Sequence, residues 1–525
     1  MTLSGKNYIA GRFSGQGSET FRAEDPNQAQ ALPVDFYVAT QAEIGEAIEK
    51  AESAFELYRR MDAGRIAGFL ETIADEILES GDALVRRCMA ETALPEGRIL
   101  GERARTVNQL KLFAEVVREG SWVDARIDHA LPQREPVPKP DVRSMLQPLG
   151  PVGIFGASNF PLAFSVAGGD TASALASGCP VVVKAHPSHP GTCEWVARAI
   201  DSAIRKCSMP EGVFSMVQGN NHEVGLAIVK HPLIQAIGFT GSFAGGKAIF
   251  DAANQRPGPI PVYAEMGSTN PVFILPGALA ERGKEIALGL TQSATLGVGQ
   301  FCTNPGLVFL PEPKVAAPFL EDLAQEFEKI EGQAMLNQGI QSAFQQGVKQ
   351  LEVYGLRRIA EGKQGSGDSY SASAQVFSSS VSTFLDHEAL EEEVFGPSTI
   401  AFTSDRKEEL LESARRLKGH LTASLFGTPE DLVEYRDLLR ILERKVGRLL
   451  INQFPTGVEV CDAMVHGGPF PATTDSRTTS VGTASILRFA RPVCYQNFPE
   501  SLLPDELKEA NPRRIWRLVD GEWTR

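Results

Sequence analysis

Between Pro151 and Met266 the chain repeats one pattern, a short apolar run, a turn and a longer amphipathic stretch. VGIFGA, PVVVKA, GVFSMVQG, IQAIGFTG and PVYAEM read as buried strands. FPLAFSVAGGDTASALA, Thr192 to Lys206, His222 to Lys230 and Ser242 to Ala253 read as the helices around them. A strand that is apolar on both faces must be covered on both sides, and alternating helices do this by building a parallel, doubly wound α/β sheet. Such sheets bind ligands beyond the carboxyl ends of their strands. Glycines and polar residues cluster at those ends here.

The 525 residues leave room for two or three domains. A net charge of −14 argues against nucleic acid or an anionic membrane surface as the main partner. The seven cysteines are odd in number and scattered, and no C-x-x-C pair occurs. That usage suggests neither a disulfide framework nor a metal site, and it fits a reducing compartment. The start, MTLSGKNYIAGRF, lacks the apolar core of a signal peptide, and no run is long enough to span a bilayer. The expectation is a cytoplasmic protein without bound metal.

NYIAGRF reads as a hairpin, and Thr40 with Glu43 has the spacing of a capping box. Ile44, Ile48, Ala51, Phe55 and Tyr58 follow at helical intervals, and Ile66, Leu70, Ile73 and Ile77 repeat the pattern in a second helix. Another α/β section runs from Ser268 to Arg488, and in it EGKQGSGDSYSASAQVFSSS reads as a flexible surface insertion without chemistry. Residues 125–147 and the tail after Arg488 are proline-punctuated and alternating. They suit either strands that pair with another subunit or a linker.

Four motifs sit where chemistry is expected. GVGQFCTNPG places Cys302 on a glycine-flanked loop, where backbone N–H groups can stabilise an anion. The ordinary alternative is a small buried hydrophobe. AEMGSTNP ends a strand on Glu265, a general base if an apolar site raises its pKa, otherwise a salt-bridged carboxylate. GASNFPL offers Asn159 as an oxyanion donor or as the cap of the next helix. GFTGSFAGG sets Gly241 at a strand end and Gly246 in the first helical turn, suited to a pyrophosphate or simply to the turn.

Taken in order, GASNFPL, VVVKAHPSHPGT, GFTGSFAGG, AEMGSTNP, GQFCTNPG and EEVFGP resemble the NAD(P)-dependent aldehyde dehydrogenase superfamily over nearly the whole chain. The resemblance implies a dinucleotide-binding domain from residues 1–124 and 148–264 and a catalytic domain from 265–488. It also implies a small β oligomerisation arm from 125–147 and 489–525, in a homodimer or homotetramer. It makes Cys302 the nucleophile that forms a thioester with a small aldehyde, Glu265 the base that hydrolyses it, and Asn159 the oxyanion donor. Phe155, Gly156, Ala157 and Ser158, with Lys184, Pro187, Gly241, Ser242 and Gly246, are implied to hold the dinucleotide. Glu393 is implied to bind the nicotinamide ribose, and Phe395 to flank the nicotinamide ring.

Two departures matter. The family often has a glutamate three residues after the lysine, where it repels a 2′-phosphate; this chain has Pro187, with Lys184, Ser188 and histidines close by. NADP+ is therefore expected to be accepted at least as well as NAD+. The tryptophan often found before N-F-P is Ser158, which leaves more room near the nicotinamide.

KAHPSHPGT and NQFPTGVEVCDAMVHGGPFPAT are similar to the branch of 2-oxoglutarate-semialdehyde (2,5-dioxopentanoate) dehydrogenases and NADP-linked fatty aldehyde dehydrogenases. A semialdehyde needs a cation for its far carboxylate, and Arg477 and Arg448 are available; a fatty aldehyde needs a long apolar tunnel instead. Other classes are a cysteine hydrolase pairing Cys302 with a histidine, an acyl-CoA-forming relative without the glutamate, and a noncatalytic relative. The presence of both Cys302 and Glu265 speaks against the last two.

Overall fold

The five apolar runs form the parallel strands of a seven-stranded sheet in the computed structural model, which describes residues 2–365, 367 and 369–525. Across the sheet the order is Val262–Glu265, Ala236–Thr240, Val152–Phe155, Val181–Lys184, Phe214–Val217, Asn7–Ile9 and Arg12–Ser14. The last two are the NYIAGRF hairpin, antiparallel to the edge strand. Val152–Phe155 comes first in the chain among the five and lies mid-sheet. The chain winds from it to one side and then returns to the other at Ala236–Thr240. This reversal opens a crevice beyond the ends of those two adjacent strands.

Local signals place most of the helices. Thr40 caps Gln41–Tyr58 with the reciprocal Glu43 bond, and Ile44, Ile48, Ala51, Phe55 and Tyr58 are buried beneath it. Ala63–Glu79 buries Ile66, Leu70, Ile73 and Ile77. Pro190–Lys206, His222–Lys230 and Phe243–Asn254 lie where the periodicity puts them.

The stretch FPLAFSVAGGDTASALA departs from expectation, because only Gly169–Ser177 is helical. Ahead of it the backbone turns back on itself. Ala157 N–H donates to the Phe164 carbonyl, while the Glu102 carboxylate accepts from Leu162 N and Ala163 N. A Cβ on Gly168 would lie 2.5 Å from the Ala163 carbonyl oxygen, so the tight return needs glycine there. Satisfied from outside, these N–H groups have no need of a helix.

Val272–Ile274 starts a second seven-stranded sheet, ordered Arg357–Glu361, Gln375–Ser380, Ser398–Thr403, Leu307–Leu310, Val272–Ile274, His420–Phe426 and Val446–Ile451. The serine-rich insertion is corrected here. Its second half is the internal strand Gln375–Ser380, with Val376 and Phe377 buried. Composition misleads because its serines mostly lie before the strand or at its far end, while the inward positions are apolar. Ser366 and Asp368 of that segment lie outside the described residues.

Residues 125–147 and the tail pair with each other in a five-stranded sheet. Val142–Pro148 runs antiparallel to Ala490–Gln496, and Arg126–Asp128 lies parallel to Arg517–Val519. Just before the tail, a buried Arg488–Asp170 ion pair at 2.7 Å ties the chain to the first core. Among the described residues no helix is long and apolar enough to cross a membrane.

Candidate active site

The crevice at the strand reversal is a cleft of about 760 Å³ lined by Ala157, Ser158, Asn159, Gly241, Ser242, Glu265, Cys302, Glu393 and Phe395, among others. Of the remaining residues picked from sequence, Phe155 packs into the core against Phe239, and a Cβ on Gly156 would strike Ser165. Gly246 packs under Met266, which a Cβ would meet at 2.6 Å. Lys184 ends the strand beside Phe155, and Pro187 follows in the next loop.

Cys302 is held from behind. Asn270, itself at φ 45°, donates its amide N–H groups to the Cys302 carbonyl at 2.8 Å and to the Asn304 carbonyl at 2.9 Å. Asn304 Nδ2 reaches the Gly396 carbonyl at 3.2 Å. A Cβ on Gly299 would lie 2.2 Å from the same oxygen, so the thiol loop and the EEVFGP loop interlock through glycine. That close approach brings Glu393 and Phe395 to the thiol. Asn159 Nδ2 donates to the Gln300 carbonyl at 2.9 Å, which uses one of its two N–H groups and aligns the amide beside the loop. With no helix beginning at Phe160, Asn159 is not a helix cap.

Behind the thiol lies a residue that the motifs did not identify. His466 Nε2 is 3.5 Å from Cys302 Sγ and 2.9 Å from Glu265 Oε1. The second contact is poorly aligned as a hydrogen bond, since Glu265 Oε1 has no hydrogen-bond partner, and it is chiefly electrostatic. The Ser480 hydroxyl donates to the other Glu265 oxygen and bonds the His466 carbonyl as well.

Burial alone would push the Glu265 carboxyl up, but His466, Ser480 and Cys302 together outweigh it and hold it below the usual range. Of the two alternatives the sequence left open, the structure shows the paired carboxylate, kept ionised by its partners rather than raised by an apolar wall. Burial first, and then the charges of Glu265 and Glu393, push the Cys302 thiol well above its ordinary range, with Arg105 acting the other way.

The ligand atoms of Glu265, Cys302 and His466 lie within 4.8 Å of one another, a donor set able to hold a zinc-like ion and equally able to pass a proton. His466 and Asn270 were both inside quoted motifs, VHGGPF and GSTNP. Nothing local distinguished them from a buried histidine and a turn asparagine.

Several polar groups here have no internal partner and fit a dinucleotide. Glu393 Oε1 is buried without a hydrogen bond, and burial raises its pKa to about 8. It wants a donor such as a ribose hydroxyl. Burial brings the Lys184 ammonium down to about 8, and no ion pair or hydrogen bond is seen for it among the described residues. Ser242 caps the helix Phe243–Asn254 through Gly245 N–H, and this helix N-terminus opens beside the cleft, as a pyrophosphate requires.

The chain matches the profile of the Aldehyde dehydrogenase family over residues 13–470. It is 51% identical to alpha-ketoglutaric semialdehyde dehydrogenase 2 of Azospirillum brasilense, with 99% of this chain and 100% of that protein aligned. It is 46% identical to alpha-ketoglutaric semialdehyde dehydrogenase of Acinetobacter baylyi, over 99% of each chain. An aldehyde dehydrogenase from Bacillus cereus, solved as an NAD+ complex, shares the fold with a TM-score of 0.80 at 23% identity, over 94% of this chain and 96% of that one.

Proposed function

The chain belongs to the aldehyde dehydrogenase family, and on that footing we propose that it oxidises 2-oxoglutarate semialdehyde to 2-oxoglutarate with NAD(P)+ through a thioester on Cys302. The observation that carries the chemistry is the convergence of Cys302, His466 and Glu265 in a cleft flanked by Asn159 and Glu393. The two curated relatives, each named for this semialdehyde and aligned nearly end to end, support the substrate.

Cys302 Sγ attacks the aldehyde carbon, and its proton passes to His466 Nε2. The oxygen that gains charge lies between the Cys302 backbone N–H, which has no acceptor among the described residues, and the remaining Asn159 N–H. Glu393 and Lys184 hold the ribose hydroxyls, and the turn at Gly241 and Ser242 holds the pyrophosphate. The chemistry the bound dinucleotide supplies is acceptance of the hydride lost by the carbonyl carbon. Glu265, kept ionised, then removes a proton from the water that attacks the thioester; the acid leaves, the thiolate takes back the proton held by His466, and Glu265 gives its own to solvent.

With Pro187 in place of an excluding carboxylate beside the unpaired Lys184, NADP+ serves at least as well as NAD+. The exposed edge strands Ala490–Gln496 and Glu522–Thr524 support a homodimer or homotetramer, and the free, scattered cysteines support the cytoplasm. The test compares kcat/KM for 2-oxoglutarate semialdehyde with that for a long-chain uncharged aldehyde, using each cofactor. A tenfold or greater advantage for the long chain, about 1.4 kcal/mol at the transition state, replaces the substrate reading with the fatty-aldehyde one. A strong preference for NAD+ refutes the cofactor reading.

A further inference from the structure

The arginines that the sequence offered for the far carboxylate are spoken for. Arg477 has 86% of its side chain exposed and forms a bidentate pair with Asp475. Arg448 has both terminal nitrogens committed, to the carbonyls of Gly457 at 2.9 Å and Pro455 at 2.6 Å, which leaves only its Nε without a partner.

A third arginine is in a different state. On the helix Glu96–Glu119, Arg98, Glu102, Arg105 and Gln109 share one face. Arg98 is paired with Glu102 at 3.2 Å and stacks over Phe160 and Phe301. Arg105 makes no hydrogen bond or ion pair among the described residues, and its Nε and Nη2 are both buried without a partner. Its guanidinium lies 5.3 Å over the Phe164 ring, and that ring is 6.4 Å from the His466 ring, which touches Cys302 Sγ. Phe164 belongs to a buried apolar cluster with Phe160, Phe301 and Val481, on which Val458 and Met464 pack. Burial works against the Arg105 charge, while the nearby charges of Cys302 and Glu102 favour it.

A planar fork of N–H groups with no acceptor, over a buried ring beside the nucleophile, has an unmet need for an anion. We infer that Arg105 is the specificity-determining receptor for the far carboxylate of the substrate, gripping it bidentately while the aldehyde end lies at Cys302. The cleft then selects short ω-carboxy aldehydes over uncharged ones of equal length. This inference rests on the semialdehyde reading above, and it adds the group that reads the acid.

The experiment measures kcat/KM for glutarate semialdehyde and for pentanal in wild type, Arg105→Met and Arg105→Lys. In wild type the ratio favours the semialdehyde. In Arg105→Met the ratio falls about a hundredfold, carried mainly by a rise in KM for the charged substrate, and in Arg105→Lys it falls about tenfold, because a point charge replaces a fork. Inhibition by glutarate, competitive with the semialdehyde, weakens in parallel. A ratio within threefold of wild type in both variants overturns the inference, whether or not overall activity drops, since a packing role or an effect on the thiol lowers both substrates together. If Arg105→Met does not fold, an unchanged ratio in Arg105→Lys alone overturns it. A wild-type enzyme that prefers pentanal overturns the semialdehyde reading itself, and a wild-type preference that survives in the variants overturns only the role of Arg105.

Discussion

The molecule contains two cysteine–histidine pairs of nearly equal separation, set in different surroundings. Cys193 Sγ lies 3.3 Å from His189 Nδ1, and Cys302 Sγ lies 3.5 Å from His466 Nε2. At the first pair every polar atom is satisfied inside the protein. His189 Nε2 donates to the Ala157 carbonyl at 3.0 Å, and the Ser165 hydroxyl is the other neighbour of the Cys193 thiol. Cys193 and His189 have no exposed surface.

At the second pair, the same His466 nitrogen faces both a thiol and the Glu265 carboxylate, and His466 Nδ1 is buried with no partner. Cys302 itself opens on the cleft. Contact between a thiol and an imidazole is therefore no mark of a nucleophile. What separates the pair we propose as reactive is a carboxylate within reach, access for a ligand, and polar groups left unsatisfied. The sealed pair still contributes to the site, because His189 holds the Ala157 carbonyl just before Asn159 in the loop that lines the cleft.

The comparison breaks most decisively at the thiols. Cys302→Ala removes the nucleophile and lowers aldehyde turnover by more than about a thousandfold, while dinucleotide binding measured by fluorescence titration persists. Retention of more than a few per cent of turnover would return Cys302 to the same standing as Cys193. Next in size is Asn159→Ala, which slows hydride transfer by about a hundredfold through loss of one oxyanion donor. An unchanged single-turnover rate would leave Asn159 with only its bond to Gln300.

Glu265→Gln sharpens the role of the third group. A burst of reduced nicotinamide survives while steady-state release of acid collapses, since the thioester forms but water is no longer activated. Absence of a burst places Glu265 earlier, in removal of the thiol proton.

The same variant carries a pH prediction. The Glu265 charge is one of the causes that raise the Cys302 thiol pKa, so its removal must lower that pKa. The rise with pH in the rate of Cys302 alkylation by iodoacetamide then moves to lower pH in Glu265→Gln than in wild type. A shift the other way would mean that the imidazole rather than the carboxylate governs the thiol.

The smallest effect belongs to the sealed pair. Cys193→Ala keeps turnover within about threefold but leaves His189 Nδ1 buried without a partner, at a cost of about 1–3 kcal/mol in urea unfolding. Equal stability to wild type would show that water or a shifted ring replaces the thiol.

Local pattern carries far along this chain, and it stops at identifiable places. Thr40 and Glu43 announce their helix because both halves of a capping box lie within four consecutive residues. The strands around Val152–Phe155 announce themselves because burial on both faces forces continuous apolar runs. The return from Phe160 to Gly168 was not legible, since its N–H groups are satisfied by Glu102, some sixty residues earlier in the chain. The strand Gln375–Ser380 was hidden by the serines on either side of it.

What the sequence determined by itself was thus the α/β class, the thiol loop and the glycine turns, which depend on periods and spacings of a few residues. What only the tertiary structure decided was which groups meet. Cys302 and His466 are 164 residues apart, and Glu265 and Ser480 are 215 apart. Arg477 and Arg105 look alike as letters, yet one is bathed in solvent against Asp475 and the other lies over the Phe164 ring with two of its nitrogens buried and unpartnered. Burial, pKa and unmet hydrogen bonds are properties of a three-dimensional neighbourhood, and no spacing along one chain encodes them directly.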